Sequence, residues 1–127
     1  IACPKGYEPN SLLIDKAYKI YKNKNLLKIT NDPNRAVLGA NVLYTDVWSS
    51  MGEENQKEEK DKDFSGFTID SDLVNIADKD AIILHCLPAY RNKEITNEIF
   101  ESKKSRIFEQ AENRLHAQQA LLACILS

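Results

Sequence analysis

No apolar run in this sequence approaches the roughly 20 residues that a membrane-spanning helix needs, and no charged-then-apolar leader precedes Ile1. A cytoplasmic setting without a membrane partner is therefore expected. Cysteine is scarce: Cys3, Cys86 and Cys124 make an odd count with no Cys-x-x-Cys pair. That argues against a disulfide framework and against a zinc site, so no metal is expected and a reducing compartment is. Charge of one sign is lacking as well. Seventeen basic and 19 acidic residues leave a formal charge of -2, which gives no electrostatic reason for a nucleic-acid or membrane-surface partner. Neither a Gly-x-Gly-x-x-Gly segment nor a Walker loop occurs, so nucleotide cofactor binding is unsupported and no organic cofactor is expected. Small polar ligands remain.

What is present is one domain's worth of chain. At 127 residues and 43% hydrophobic content, a single core is affordable and two are not. Pro9-Asn10-Ser11 signals a helix start, and Leu12, Leu13, Ala17, Ile20 and Tyr21 recur at helical spacing up to the polar break at residues 22–25. Leu26 to Ile29 reads as a short strand. Asp32-Pro33 opens a brief helix that ends at Gly39, since proline is tolerated at the first helical position and glycine beyond the last. Asn41 to Thr45 and Ala81 to Leu84 read as buried strands, with helices expected over 69–77 and 96–101, a short strand over 106–108, and a final helix from Glu109 to about Leu126. Residues 53–63 carry six acids and three bases with no apolar residue, which predicts an exposed loop or helical turn. Strands alternating with helices, without repeats, imply an α/β fold. It is expected to be three-layered, with a mainly parallel Rossmann-like sheet covered by helices on both faces.

Two segments stand where chemistry is expected in such a fold, because ligands of open α/β sheets bind outside the carboxyl ends of strands. They are Asp46-Val47-Trp48-Ser49-Ser50-Met51-Gly52 and His85-Cys86-Leu87-Pro88. Asp46 can accept charge-assisted hydrogen bonds from an ammonium group; the plainer reading is a capping or loop-bracing Asp. Cys86 follows a buried strand and precedes a turn fixed by Pro88, and a thiol there can exchange a proton near neutral pH if its surroundings allow; most lone cysteines are instead inert core residues. His85 reads as a packed or hydrogen-bonded histidine. Arg114 has surface pairing as its plain alternative, and residues 52–67 read as a lid or as an ordinary connector.

The motifs Gly6-Tyr7-Glu8-Pro9, Asp32-Pro33, Tyr44-Thr45-Asp46-Val47-Trp48, Ser50-Met51-Gly52, His85-Cys86-Leu87-Pro88 and Ala111-Glu112-Asn113-Arg114 occur in this order along nearly the whole chain. Together they resemble the ornithine-binding, carboxyl-terminal domain of the ornithine carbamoyltransferases. The resemblance implies a transferase of arginine metabolism that moves the carbamoyl group of carbamoyl phosphate to the side-chain amine of ornithine, giving citrulline and phosphate. It implies an ornithine site made by Asp46, Ser50 and the backbone N–H of Met51, with Cys86 as the catalytic residue. Carbamoyl phosphate would meet Cys86, the backbone carbonyl of Leu87, and Arg114. Residues 1–127 would be the ornithine-binding domain, lacking its opening strand and helix and the whole amino-terminal carbamoyl phosphate domain, against which the final helix would dock. The family's Ser-Thr-Arg-Thr and His-Pro-x-Gln segments do not occur, so the chain alone is expected to be inactive; the resemblance also implies that the complete protein is a homotrimer. Ser49 departs from the family's usual apolar residue, and Asn92 stands where glycine is frequent. The alternative is a stand-alone, non-catalytic amino-acid-binding module built on the same fold.

Overall fold

The computed structural model describes residues 1–21, 26–49, 52 and 54–126. Its centre is a parallel pair of strands, β1 (Val42–Thr45) and β2 (Ile82–His85), in the register Val42 to Ile82 through Thr45 to His85. Parallel bridges extend the pairing, from Ile83 to Ser105 on one flank and from Ala2 to Thr30 at a separate site. Helices precede and follow the strands along the chain: α1 (Ser11–Tyr21) and α2 (Pro33–Val37) before β1, α3 (Lys57–Asp63) and α4 (Ser71–Ile76) between β1 and β2, and α5 (Asn97–Phe100) and α6 (Ile107–Leu126) after β2, with a 3₁₀ turn at Glu54–Gln56 before α3. The molecule is thus an α/β fold on a parallel sheet.

The helix starts follow the sequence. Asp32 accepts from the N–H groups of Asn34 and Arg35 with Pro33 at the first position, Asp70 accepts from Leu73, and Thr96 accepts from Ile99. Each cap satisfies donors that a helix end otherwise leaves unpaired. Gly39 takes φ +66° just past α2, a conformation that costs glycine little. Leu43, Ile69, Val74, Ala81, Ile83, Ile95, Ile99, Phe100 and Ile107 form the core, packed between β2, α4, α5 and the start of α6.

Two expectations change, and a third, the loop or helical turn over 53–63, resolves to its helical alternative. Leu26 to Ile29 is no strand; pairing there is reduced to the bridge at Thr30. Residues 106–108 are not a strand either. Ser105 makes the bridge, the helical bond from the Gln110 N–H to the Arg106 carbonyl follows at once, and α6 begins at Ile107. A buried Ile107 suits a strand end and a helix start equally, so periodicity could not choose between them. The charged segment becomes helix α3, with Glu58 and Glu59 in the first turn and Lys60 and Lys62 in the last, the arrangement that complements a helix dipole. Among its residues α6 buries Ile107, while Leu115, Leu121, Leu122, Ile125 and Leu126 stand exposed.

Candidate active site

Because Thr45 pairs with His85, the first residues beyond the two strands, Asp46 and Cys86, emerge side by side. An Asp46 oxygen, a His85 ring nitrogen and the Cys86 sulfur all lie within 4.8 Å of one another. One Asp46 oxygen accepts the Val47 N–H at 2.7 Å, which fixes the carboxylate against the strand end. Burial, followed by a hydrogen bond to Asp46 and the negative charge of that carboxylate, pushes the Cys86 thiol up from its ordinary pKa; a hydrogen bond from Tyr44 acts the other way. At neutral pH Cys86 is therefore a thiol that donates to Asp46, not a thiolate.

His85 is buried, as a packed histidine should be. Its Nδ1 accepts the Leu87 N–H at 2.8 Å and its Nε2 meets a Glu94 oxygen at 3.1 Å. The O, N, S donor set of Asp46, His85 and Cys86 could hold a cation only by breaking one of these ring contacts. Leu87 sits at φ +55° and is joined to Pro88 by a cis peptide bond.

Sequence reasoning passed over two residues, Glu94 and Gln110, and Gln110 ties α6 to this strand end. Gln110 accepts the His85 N–H on its Oε1 at 3.0 Å, and its Nε2 donates to the Tyr44 hydroxyl at 2.9 Å. Arg114 lies one turn further along the same helix, and residues four apart share a helix face. Spacing from Arg114 was the available signal for Gln110, whereas Glu94 gave no local sign. Ser50 and Met51 lie outside the described residues; Gly52 takes φ +92°.

The segment read as a lid is fastened beside the site. Trp48 stacks on Phe64 with ring centres 5.7 Å apart, and Phe64 also meets Tyr7 and Phe67 edge-on. The Tyr7 hydroxyl donates to Asp63 at 2.9 Å, Lys93 pairs with Asp61, and the Lys57 ammonium stands 5.0 Å from the centre of the Tyr90 ring. A cavity of about 480 Å³ runs along β1 from Ile1 and Ala2 to Asp46 and Trp48.

Comparison with known proteins agrees with this layout. The family model for the aspartate/ornithine carbamoyltransferase Asp/Orn binding domain matches residues 1–125. Ornithine carbamoyltransferase of Prochlorococcus marinus subsp. pastoris is 82% identical over 126 residues, 99% of this chain and 41% of that protein. Among solved structures, the ornithine carbamoyltransferase of Pyrococcus furiosus superposes with a TM-score of 0.86 at 45% identity, covering 96% of this chain and 39% of that one. The anabolic enzyme of Campylobacter jejuni superposes equally well, with a TM-score of 0.86 at 46% identity over 97% of this chain and 41% of that one. The chain thus spans about two fifths of the relatives it matches, and over that span it belongs to the aspartate/ornithine carbamoyltransferase family.

Proposed function

We propose that this chain is the ornithine-binding half of an ornithine carbamoyltransferase. The observation that carries the reading is the pairing of Asp46 with Cys86 at adjacent parallel strand ends, in a chain whose matched relatives are ornithine carbamoyltransferases along its whole length. A non-catalytic amino-acid-binding module is not favoured, since the relatives named above are ornithine carbamoyltransferases.

In the proposed reaction the neutral side-chain amine of ornithine attacks the carbonyl carbon of carbamoyl phosphate. A C–N bond forms, the carbonyl oxygen gathers negative charge in the tetrahedral species, and the C–O bond to phosphate then breaks, its electron pair leaving on phosphate, which takes up the proton that the attacking nitrogen gives up. The amine must first shed its proton, because a lysine-like group with a pKa near ~10.4 is otherwise charged and not nucleophilic. Asp46 and Ser50 would hold the ornithine α-amino end and the Met51 N–H its carboxylate. Cys86, the Leu87 carbonyl and Arg114 would face the carbamoyl group, Arg114 opposing the developing oxyanion charge. The raised pKa of the Cys86 thiol favours a group that orients the amine over one that removes its proton. Closure of residues 52–67 would exclude water. The partner for this half is an amino-terminal carbamoyl phosphate domain, the assembly a cytoplasmic homotrimer, and the setting arginine biosynthesis.

The test is a graft. With residues 1–126 put in place of the matching stretch of the Prochlorococcus marinus enzyme, citrulline should form from ornithine and carbamoyl phosphate. A soluble, trimeric graft that makes no citrulline would overturn the proposal.

A further inference from the structure

Resting on that reading, we infer that His85 and Glu94 are positioning residues, a buried pair that clamps the turn from Cys86 to Tyr90 so that the Leu87 carbonyl faces the carbamoyl group. The two side chains are 0% and 1% exposed and meet at 3.1 Å. His85 Nδ1 accepts the Leu87 N–H at 2.8 Å, so this nitrogen carries no proton. The proton of a neutral ring then sits on Nε2 and is donated to Glu94. The same Glu94 oxygen accepts the Tyr90 N–H at 2.6 Å. Between the two held amides lie Ala89 and Pro88, and proline has no N–H to offer. One hydrogen-bonded chain therefore fixes both ends of the turn.

Glu94 is itself anchored. Its carbonyl accepts the Ile69 N–H at 2.9 Å, the Thr96 N–H returns to the Ile69 carbonyl at 3.0 Å, and Ile95 between them is fully buried. At the other end the His85 N–H is held by Gln110 of α6. A left-handed φ of +55° at Leu87, unfavourable for a residue with a branched side chain, persists where surrounding contacts over-determine it. The clamp supplies those contacts. It touches no substrate; it sets the direction of a backbone carbonyl and of the neighbouring thiol.

Two substitutions separate this role from bulk stability. In His85→Asn the side-chain oxygen can still take the Leu87 N–H but does not reach Glu94, whereas in His85→Gln the amide can reach Glu94 and leaves the Leu87 N–H unpaired. In the grafted enzyme, His85→Gln should lower kcat/KM for carbamoyl phosphate by about tenfold or more, the scale of one lost buried hydrogen bond. The KM for ornithine should change less than that for carbamoyl phosphate, because the proposed contacts to its α-amino and carboxylate groups lie on the β1 side, outside the clamp. His85→Asn should retain the larger share of activity, and Glu94→Gln should rescue Glu94→Ala. Equal losses in the two His85 variants with both KM values unchanged would mean a purely structural pair and would overturn the inference. The chain has two histidines, so nitrogen-labelled histidine also reports the ring directly in the chain itself. A proton on Nε2 is expected, and one on Nδ1 would overturn the clamp whether or not the graft makes citrulline.

Discussion

The two strand ends that build the site are neighbours in register but opposites in how they are held. β2 ends inside the core: Ile83 and His85 are buried, Glu94 and Ile95 close over them, and Gln110 reaches in from α6. β1 ends near the surface, with Val42, Tyr44 and Asp46 exposed and Leu43 its one buried side chain. The carbamoyl side of the proposed site is therefore prebuilt by this chain, while the ornithine side leans on surface contacts around Phe64 and α3. Preorganised groups do most where charge develops, and a segment that must admit substrate is drawn from the less stable parts of a fold.

The sharpest way to break this comparison is to shorten one side chain on each strand. Ile83→Ala should cost about 2–5 kcal/mol, since a fully buried isoleucine loses both its transfer energy and its packing. Val42→Ala, at a half-exposed position paired directly with Ile82, should stay within about 0.5 kcal/mol. Chemical denaturation of both variants reads the difference, and equal losses would mean that the two strand ends are held alike.

A smaller effect tests the link across the strands. Asp46 is one of the causes that raise the Cys86 pKa, so Asp46→Asn should lower it and increase the thiolate fraction. Alkylation of Cys86 at pH 8, followed by peptide mapping, should quicken by about threefold to tenfold, a full unit of pKa being a factor of ten. The sign for stability follows the raised pKa. The protonated thiol favours the fold below the ordinary thiol pKa, and that contribution fades as pH rises through the higher folded value. Unchanged alkylation in Asp46→Asn would separate the two residues functionally despite their proximity.

The sequence made most of the scaffold legible, and for identifiable reasons. Asp32, Asp70 and Thr96 cap helices because their short side chains reach nearby N–H groups, a local effect visible in a few residues. The strand ends at Asp46 and Cys86 were legible from apolar runs ending in polar motifs. Glu94 was not, because its role is fixed by contacts with His85 and Tyr90 that depend on how the turn closes. Residues 53–63, lacking any core-forming side chain, left a loop and an exposed helical turn open; Lys57–Asp63 is helical, because good helix formers with favourably placed charges suffice for an exposed helix once its ends are tied down.

Those ties give the smallest predicted effect and the finest test of the comparison. If β1's end is held only from the surface, loosening α3 should alter the surroundings of Trp48 without unfolding the core. Lys93→Ala removes the pair with Asp61, in which both side chains are about one-third exposed, and should shift global stability by no more than about 1 kcal/mol. Tyr7→Phe removes the bond to Asp63 that, together with burial and the nearby Asp63 and Glu59 charges, raises the Tyr7 phenol above its ordinary pKa. With that sign, the bond supports α3 at neutral pH and is lost as pH rises through the raised phenol pKa. Trp48 is the sole tryptophan and stacks on Phe64, which touches Tyr7, so its emission reports the tether. Both variants should shift that emission at pH 7 while the denaturation midpoint scarcely moves, and the alkaline step of the parent chain should vanish in Tyr7→Phe. An emission that changes only together with global unfolding would show that α3 and the β1 end belong to the same cooperative unit as β2, and the contrast between the two sides of the site would fall.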